Sequence, residues 1–187
     1  MMEGAIPVTI ETPLNALRGT YRDRLLDPQG HLLWDRGWCN NTIVIDCRRL
    51  LAGFMLGSTN TLGIQALHVG AGLDSWDTTV NPPPQPTETA LIDPHPFAIP
   101  RANLDITFLD PTSEANSLLP TNRIQIRATL GPNVPPWPDA NHPTSTLREF
   151  GLVARLNGTN VLVNNVRHTA IAKDPASTLE RTIWLVF

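Results

Sequence analysis

Apolar and polar residues alternate strictly over two stretches in the middle of the chain. Leu104, Ile106 and Phe108 are separated by Asp105 and Thr107, and Ile124, Ile126, Ala128 and Leu130 by Gln125, Arg127 and Thr129. A period of two puts alternate side chains on one face, so both stretches read as half-buried strands. Val161–Arg167 and Leu179–Phe187 read the same way, the latter aligning Ile183, Leu185 and Phe187. Nearer the start, Tyr21–Leu26 and His31–Asp35 flank Asp27-Pro28-Gln29-Gly30, with proline and glycine where a tight turn wants them. That pattern predicts a β-hairpin.

One segment follows a different period. Ile43, Val44, Leu50, Leu51, Phe54 and Met55 form a helical stripe, which predicts one helix over about residues 42–56. Asn41 or Thr42 can cap its start and Gly57 can end it. Gly53 costs a little helix propensity and permits close packing. The β-branched run Ile43-Val44-Ile45 leaves a strand start open as the alternative.

The chain has 18 prolines, and they are clustered. Residues 81–100 hold seven of them and residues 132–143 hold five. Proline lacks the backbone donor and fixes φ, so neither segment can be a helix or a central strand. Both read as long loops, partly in polyproline II form. About seven strands and one helix, ordered hairpin, helix, then strands, predict a single mainly β domain over residues 1–187. The expected architecture is an antiparallel, sandwich-like fold with the helix on one face and the two proline-rich loops within it.

Composition narrows the functions open to such a domain. The net charge is −3, Lys173 is the only lysine among 14 basic residues, and no basic stripe that could track phosphates is present, so nucleic acid is not expected as a direct partner. Charged residues make up only 17%, against a usual share of about 25%. Either other subunits cover part of the surface, or Ser, Thr, Asn and Pro supply the missing polarity. No stretch reaches the length of a membrane span, and the start of the chain lacks the pattern of a signal peptide. Cys39 and Cys47 fit no zinc spacing and are expected as free thiols in a reducing cytoplasm.

Catalytic templates find little purchase. No P-loop, dinucleotide fingerprint, nucleophile elbow or His-Glu-x-x-His segment is present. Gly70-Ala71-Gly72 leads into Leu73-Asp74-Ser75-Trp76-Asp77 and the proline run, not into a helix that could hold a phosphate. His31, His68, His95, His142 and His168 have no metal-ligand spacing and read as loop and strand-surface residues. Asp74, Asp77, Asp93 and Asp110 lie near loops without the spacing of a calcium loop. The expectation is a protein that is not an enzyme, with no cofactor and no metal. Tryptophan is the remaining unusual feature. Trp34 and Trp184 read as cover for the ends of a small sandwich. Trp76 and Trp137, in or beside the proline-rich loops, are either contact residues or cover of the same kind. With Pro82, Pro83, Pro84 and Pro86 they are the candidate interaction residues.

Four segments, in order, carry a resemblance. Trp38 to Gly57 (WCNNTIVIDCRRLLAGFMLG), Ile64 to Asp77 (IQALHVGAGLDSWD), Leu147 to Leu152 (LREFGL) and Asn164 to Thr182 (NNVRHTAIAKDPASTLERT) together resemble small structural tail proteins of tailed bacteriophages. The pattern departs from that family at Val153, where an aromatic is expected, and at His168-Thr169. The resemblance implies a virion component of the baseplate or tail-fibre region, assembled in the bacterial cytoplasm. Its implied partners are further copies of itself, as a trimer or hexamer, and other tail proteins, with host glycan contact open. A capsid decoration or neck protein, and a carbohydrate-binding module stacking sugars on Trp76 and Trp137, are the alternatives.

Overall fold

The computed structural model describes residues 17–78 and 81–187. The hairpin predicted near the start is present: β1 (Arg18–Leu26) and β2 (Leu32–Ile43) are antiparallel. Asp27 builds the turn, its Oδ1 accepting from the backbone N–H groups of Gln29 and His31 at 2.9 and 2.8 Å, and Gly30 takes the φ of 84° that the turn requires. Helix α1 (Ile45–Leu56) then starts later than the periodicity suggests, because Ile43 still belongs to β2. Val44 is its N-cap and makes no side-chain cap, so neither Asn41 nor Thr42 plays that part. The β-branched run was the signal for this, since such residues favour the pleated chain. The C-terminal end follows expectation, with Gly57 left-handed at φ 72° and its N–H closing the last turn.

The rest of the described chain is strand and loop, with two short 3-10 helices at Asp74–Asp77 and Arg101–Asn103. In order come β3 (Leu62–Gly70), β4 (Phe97–Pro100), β5 (Leu104–Leu109), β6 (Asn116–Ser117), β7 (Arg123–Leu130), β8 (Thr146–Leu156), β9 (Thr159–Leu162), β10 (Asn164–Ala172) and β11 (Thr178–Val186). All pairings are antiparallel, in the spatial order β4-β3-β8-β10-β2-β1-β11-β7-β5-β6, with β9 on β8. The path curls into two facing layers, one of β3, β4, β8, β9 and most of β10, the other of β1, β11, β7, β5 and β6. Strand β2 joins them, pairing with β1 along most of its length and with β10 through Thr42 and Ile43.

Between the layers lies a core that includes Tyr21, Leu67, Ile126, Leu130, Phe150, Leu152, Leu179 and Ile183. Alternation is clean in β11, where Leu179, Arg181, Ile183 and Leu185 point inward. Strand β8 escaped the periodicity because eight consecutive residues, Leu147 to Ala154, are buried, charged Arg148 and Glu149 among them. A strand covered on both faces has no polar side to mark its period. The single strand expected at Val161–Arg167 is divided at Val163 into β9 and β10. Gly53, as expected, allows close approach: a Cβ there would lie 2.6 Å from Leu156 Cδ1.

Candidate interaction surfaces

A charged brace crosses the core. Register places Asp23 of β1 directly opposite Arg181 of β11, both facing inward. The guanidinium donates to both Asp23 oxygens at 2.7 Å, through Nε and Nη2. It also lies over the Phe150 ring of the opposite layer, 3.8 Å from the centroid, and Tyr21 meets Phe150 edge-on at 5.1 Å. Burial by itself would raise the Asp23 carboxyl, but the Arg181 charge and its hydrogen bonds outweigh it and hold the carboxyl below the usual range. Arg181 Nη2 also lies 3.1 Å from His168 Nε2, and His168 Nδ1 lies 2.9 Å from the Thr169 carbonyl. Nδ1–H therefore donates to the carbonyl and Nε2 accepts from the guanidinium. Burial, with the Arg181 cation adding to it, pushes the imidazole down to about 3.

A second set of buried polar groups ties both proline-rich loops to the sheets. Glu149 accepts from the backbone N–H groups of Ile92 and Asp93 at 3.1 and 2.7 Å, and burial raises its carboxyl above the ordinary range. Asp93 in turn accepts from Ala71 N–H at 2.8 Å and lies 3.0 Å from His142 Nε2. His142 Nδ1 is 2.8 Å from Asp139, and its ring stacks on Trp137 at 3.8 Å. One histidine thus links the 81–100 segment to the loop 132–143; the first of these is loop only as far as Pro96, its last four residues forming the edge strand β4 instead of the loop expected there. Glu88 receives Arg167 and Asn165, each at 2.6 Å, while Pro86 O accepts from Ile45 N–H at 2.8 Å. Arg148 grips Asp77 through two hydrogen bonds of 2.9 and 2.7 Å and the Ala71 carbonyl at 2.9 Å, and Asp74 Oδ1 lies 3.0 Å from it.

These contacts locate the candidate residues. Trp76 and Trp137 are both buried, so of the two readings open to them cover is the one found, and neither can act as an exposed sugar platform. Arg167 lies over the Trp76 ring at 5.2 Å. Pro82, Pro83 and Pro86 are exposed and Pro84 is half-buried. The expectation of surface histidines is corrected at His142 and His168, which are buried because charged partners from distant strands and loops surround them. Cys39 and Cys47 are free thiols. Asp74 and Asp77 face Arg148, Asp93 serves the loop junction, and Asp110 caps its own turn through Thr112 and Ser113 N–H. Among the described residues no three His, Cys, Asp or Glu side chains converge as a metal site.

Two surfaces stand out that the sequence did not mark. The first is the α1 end. The helix buries only Asp46, Cys47, Leu50 and Gly53. Met55 is 91% exposed and Leu56 82%, and Ile45, Phe54 and Leu62 are exposed as well. Between α1 and the strand ends lies an apolar groove of about 200 Å³, lined by Leu51, Phe54, Ile106, Ile124, Leu185 and Phe187 among others. The second is the outer face of β1, β11 and β7, where Trp38 and Trp184 pack at 4.0 Å above a hollow of about 470 Å³. The hydrophobic stripe of α1 was legible, but not that so much of it faces solvent. No protein-family model, curated protein or solved structure matches the chain.

Proposed function

We propose that the chain is a non-enzymatic structural subunit of a phage tail, in the baseplate or tail-fibre region, acting through contacts between subunits. The observation that carries the subunit role is the α1 end. Exposed apolar residues scattered singly are ordinary, but a run at Phe54, Met55 and Leu56 beside an apolar groove marks a surface that another chain covers. The occupant is a second copy of this chain. The same end carries both a protrusion, Met55 and Leu56, and a hollow between Phe54 and Phe187, so one copy supplies what the next one receives. Contacts of that kind close into rings when the rotation allows, as the trimer or hexamer of the sequence reading requires. The tail location rests on the four ordered segments of the sequence. Several of their residues build the internal frame: Glu149 holds the 92–93 backbone, Gly151 lets β8 approach Asn164, and Arg181 braces the core.

The test is solution mass by size-exclusion chromatography with light scattering. The wild type is expected as a defined oligomer, and the joint change Met55→Glu and Leu56→Lys as a folded monomer. A wild type that stays monomeric at high concentration, or an oligomer indifferent to both changes, refutes the α1 interface. Antibody labelling of intact particles tests the location separately, and label on the capsid or neck would replace the tail reading.

A further inference from the structure

The outer face of the hairpin layer is built differently from an ordinary solvated sheet. Register aligns Trp38, Arg22, Thr182, Arg127 and Asp105 in one row across β2, β1, β11, β7 and β5, and Asn40, Thr20, Trp184, Gln125 and Thr107 in the next. Trp38 and Trp184, from β2 and β11 on either side of β1, bring their rings to 4.0 Å with planes at 40°. Trp184 is fixed, because its indole N–H donates to Gln125 Oε1 at 2.9 Å and Gln125 Nε2 donates to Asn116 Oδ1 at 3.1 Å. Trp38 is 42% exposed. Below the pair the face is hollow, about 470 Å³, with Arg22, Arg24 and Arg127 around it and Glu114 from the β5–β6 loop at its edge.

We propose that this hollow binds a neutral oligosaccharide. A pyranose has an apolar C–H face and a rim of hydroxyls that each donate and accept. The hollow offers both complements: an exposed aromatic ring, and planar polar groups at fixed positions. Its volume lies within the ~300–1,000 Å³ usual for ligand sites. The charges decide against an anion. Arg22 is held by Asp35, with hydrogen bonds from Nε of 2.9 and 3.0 Å and a further close contact from Nη2. Arg24 pairs with Glu180 at 3.3 Å. Arg181 behind the hollow is paired with Asp23, and Glu114 at the rim and Asp105, opposite Arg127 in the row, add negative charge, so no net positive field remains to draw an acidic ligand. Arg127 is exposed and, among the described residues, meets no protein acceptor, which leaves its fork of donors for hydroxyls. Because Trp184 and Gln125 are already held, little side-chain freedom is lost on binding. The hollow is also separate from the α1 groove: Gln125 and Trp184 point outward, whereas Ile124 and Leu185 alternate to the inner side and line the groove.

The experiment uses the full chain on an array of bacterial surface polysaccharides, some with neutral and some with uronic-acid repeats. Hits are then titrated by tryptophan fluorescence. Binding to neutral repeats is expected, weakened about tenfold or more by Trp38→Ala and to a similar degree by Arg127→Ala. Arg127 is at the surface, so its variant keeps the fold if the Trp38 change disturbs it. No binding by the wild type, binding only to acidic repeats, or binding unchanged by Arg127→Ala overturns the proposal. Oligomeric state is not the readout, so failure here leaves the subunit reading untouched, and the reverse holds too.

Discussion

Acid should weaken this fold through one buried histidine. His168 has an ordinary value of 6.5 and is pushed down to about 3 in the folded chain, first by burial and then by the adjacent Arg181. In the unfolded chain it takes up a proton as pH falls through about 6.5, whereas the folded chain resists until about 3. Between those values the unfolded state binds more protons, so stability is greatest above pH 6.5 and declines as pH falls. Each pH unit in that window corresponds to about 1.4 kcal/mol, so the loss due to His168 alone reaches about 3 kcal/mol near pH 4. The assay is urea unfolding from about pH 7 to about pH 4, comparing the wild type with His168→Gln. The variant carries its own fixed cost, but carboxylates elsewhere titrate in both proteins and cancel in the difference. The expected result is a steeper fall for the wild type, with the two curves converging as acid is added. Parallel curves would refute the argument, since they would mean that His168 is not held neutral.

The Asp23–Arg181 pair should respond asymmetrically. Asp23→Asn, which leaves the buried guanidinium uncompensated, is expected to cost about 3–5 kcal/mol, while Asp23→Leu with Arg181→Met should be much closer to wild type; equal losses in chemical denaturation would refute this. Gly151→Ala should lower stability by more than about 2 kcal/mol, because the added Cβ would sit 2.6 Å from the Asn164 carbonyl oxygen, a backbone atom, and 2.7 Å from Leu162 Cδ1. An unchanged melting temperature would count against that packing.

Much of the fold could be read from alternation because most strands have one wet face. The turn at Asp27–Gly30, the strands around Ile106 and Ile126, and the stop at Gly57 all follow from local chemistry. Strand β8 could not be read this way, since its environment is set by β3, β10 and the loops that lie over it. The same reason hid the buried histidines. Nothing near His142 in sequence announces Asp93, 49 positions away, and nothing near His168 announces Asp23. The tryptophans show the limit most clearly. Trp76 and Trp137 lie among prolines and suggest surface, yet loops fold over them, while Trp38 sits in a strand and stays partly exposed. Which tryptophan meets solvent depends on the curl of the sheet, and that is a property of all the strands together.

Strand β2 has a mechanical consequence. It leads directly into α1, so a load applied to the helix enters the domain along the strand axis. Hydrogen bonds in an antiparallel pair run across that axis, and a pull along it strains the β1–β2 ladder in shear, many bonds at once, instead of peeling them singly. Because the end of β2 next to α1 is paired with β10 through Thr42 and Ile43, the same pull is divided between both layers. The join between helix and sheet is therefore built to carry tension, and forced unfolding should begin elsewhere in the chain.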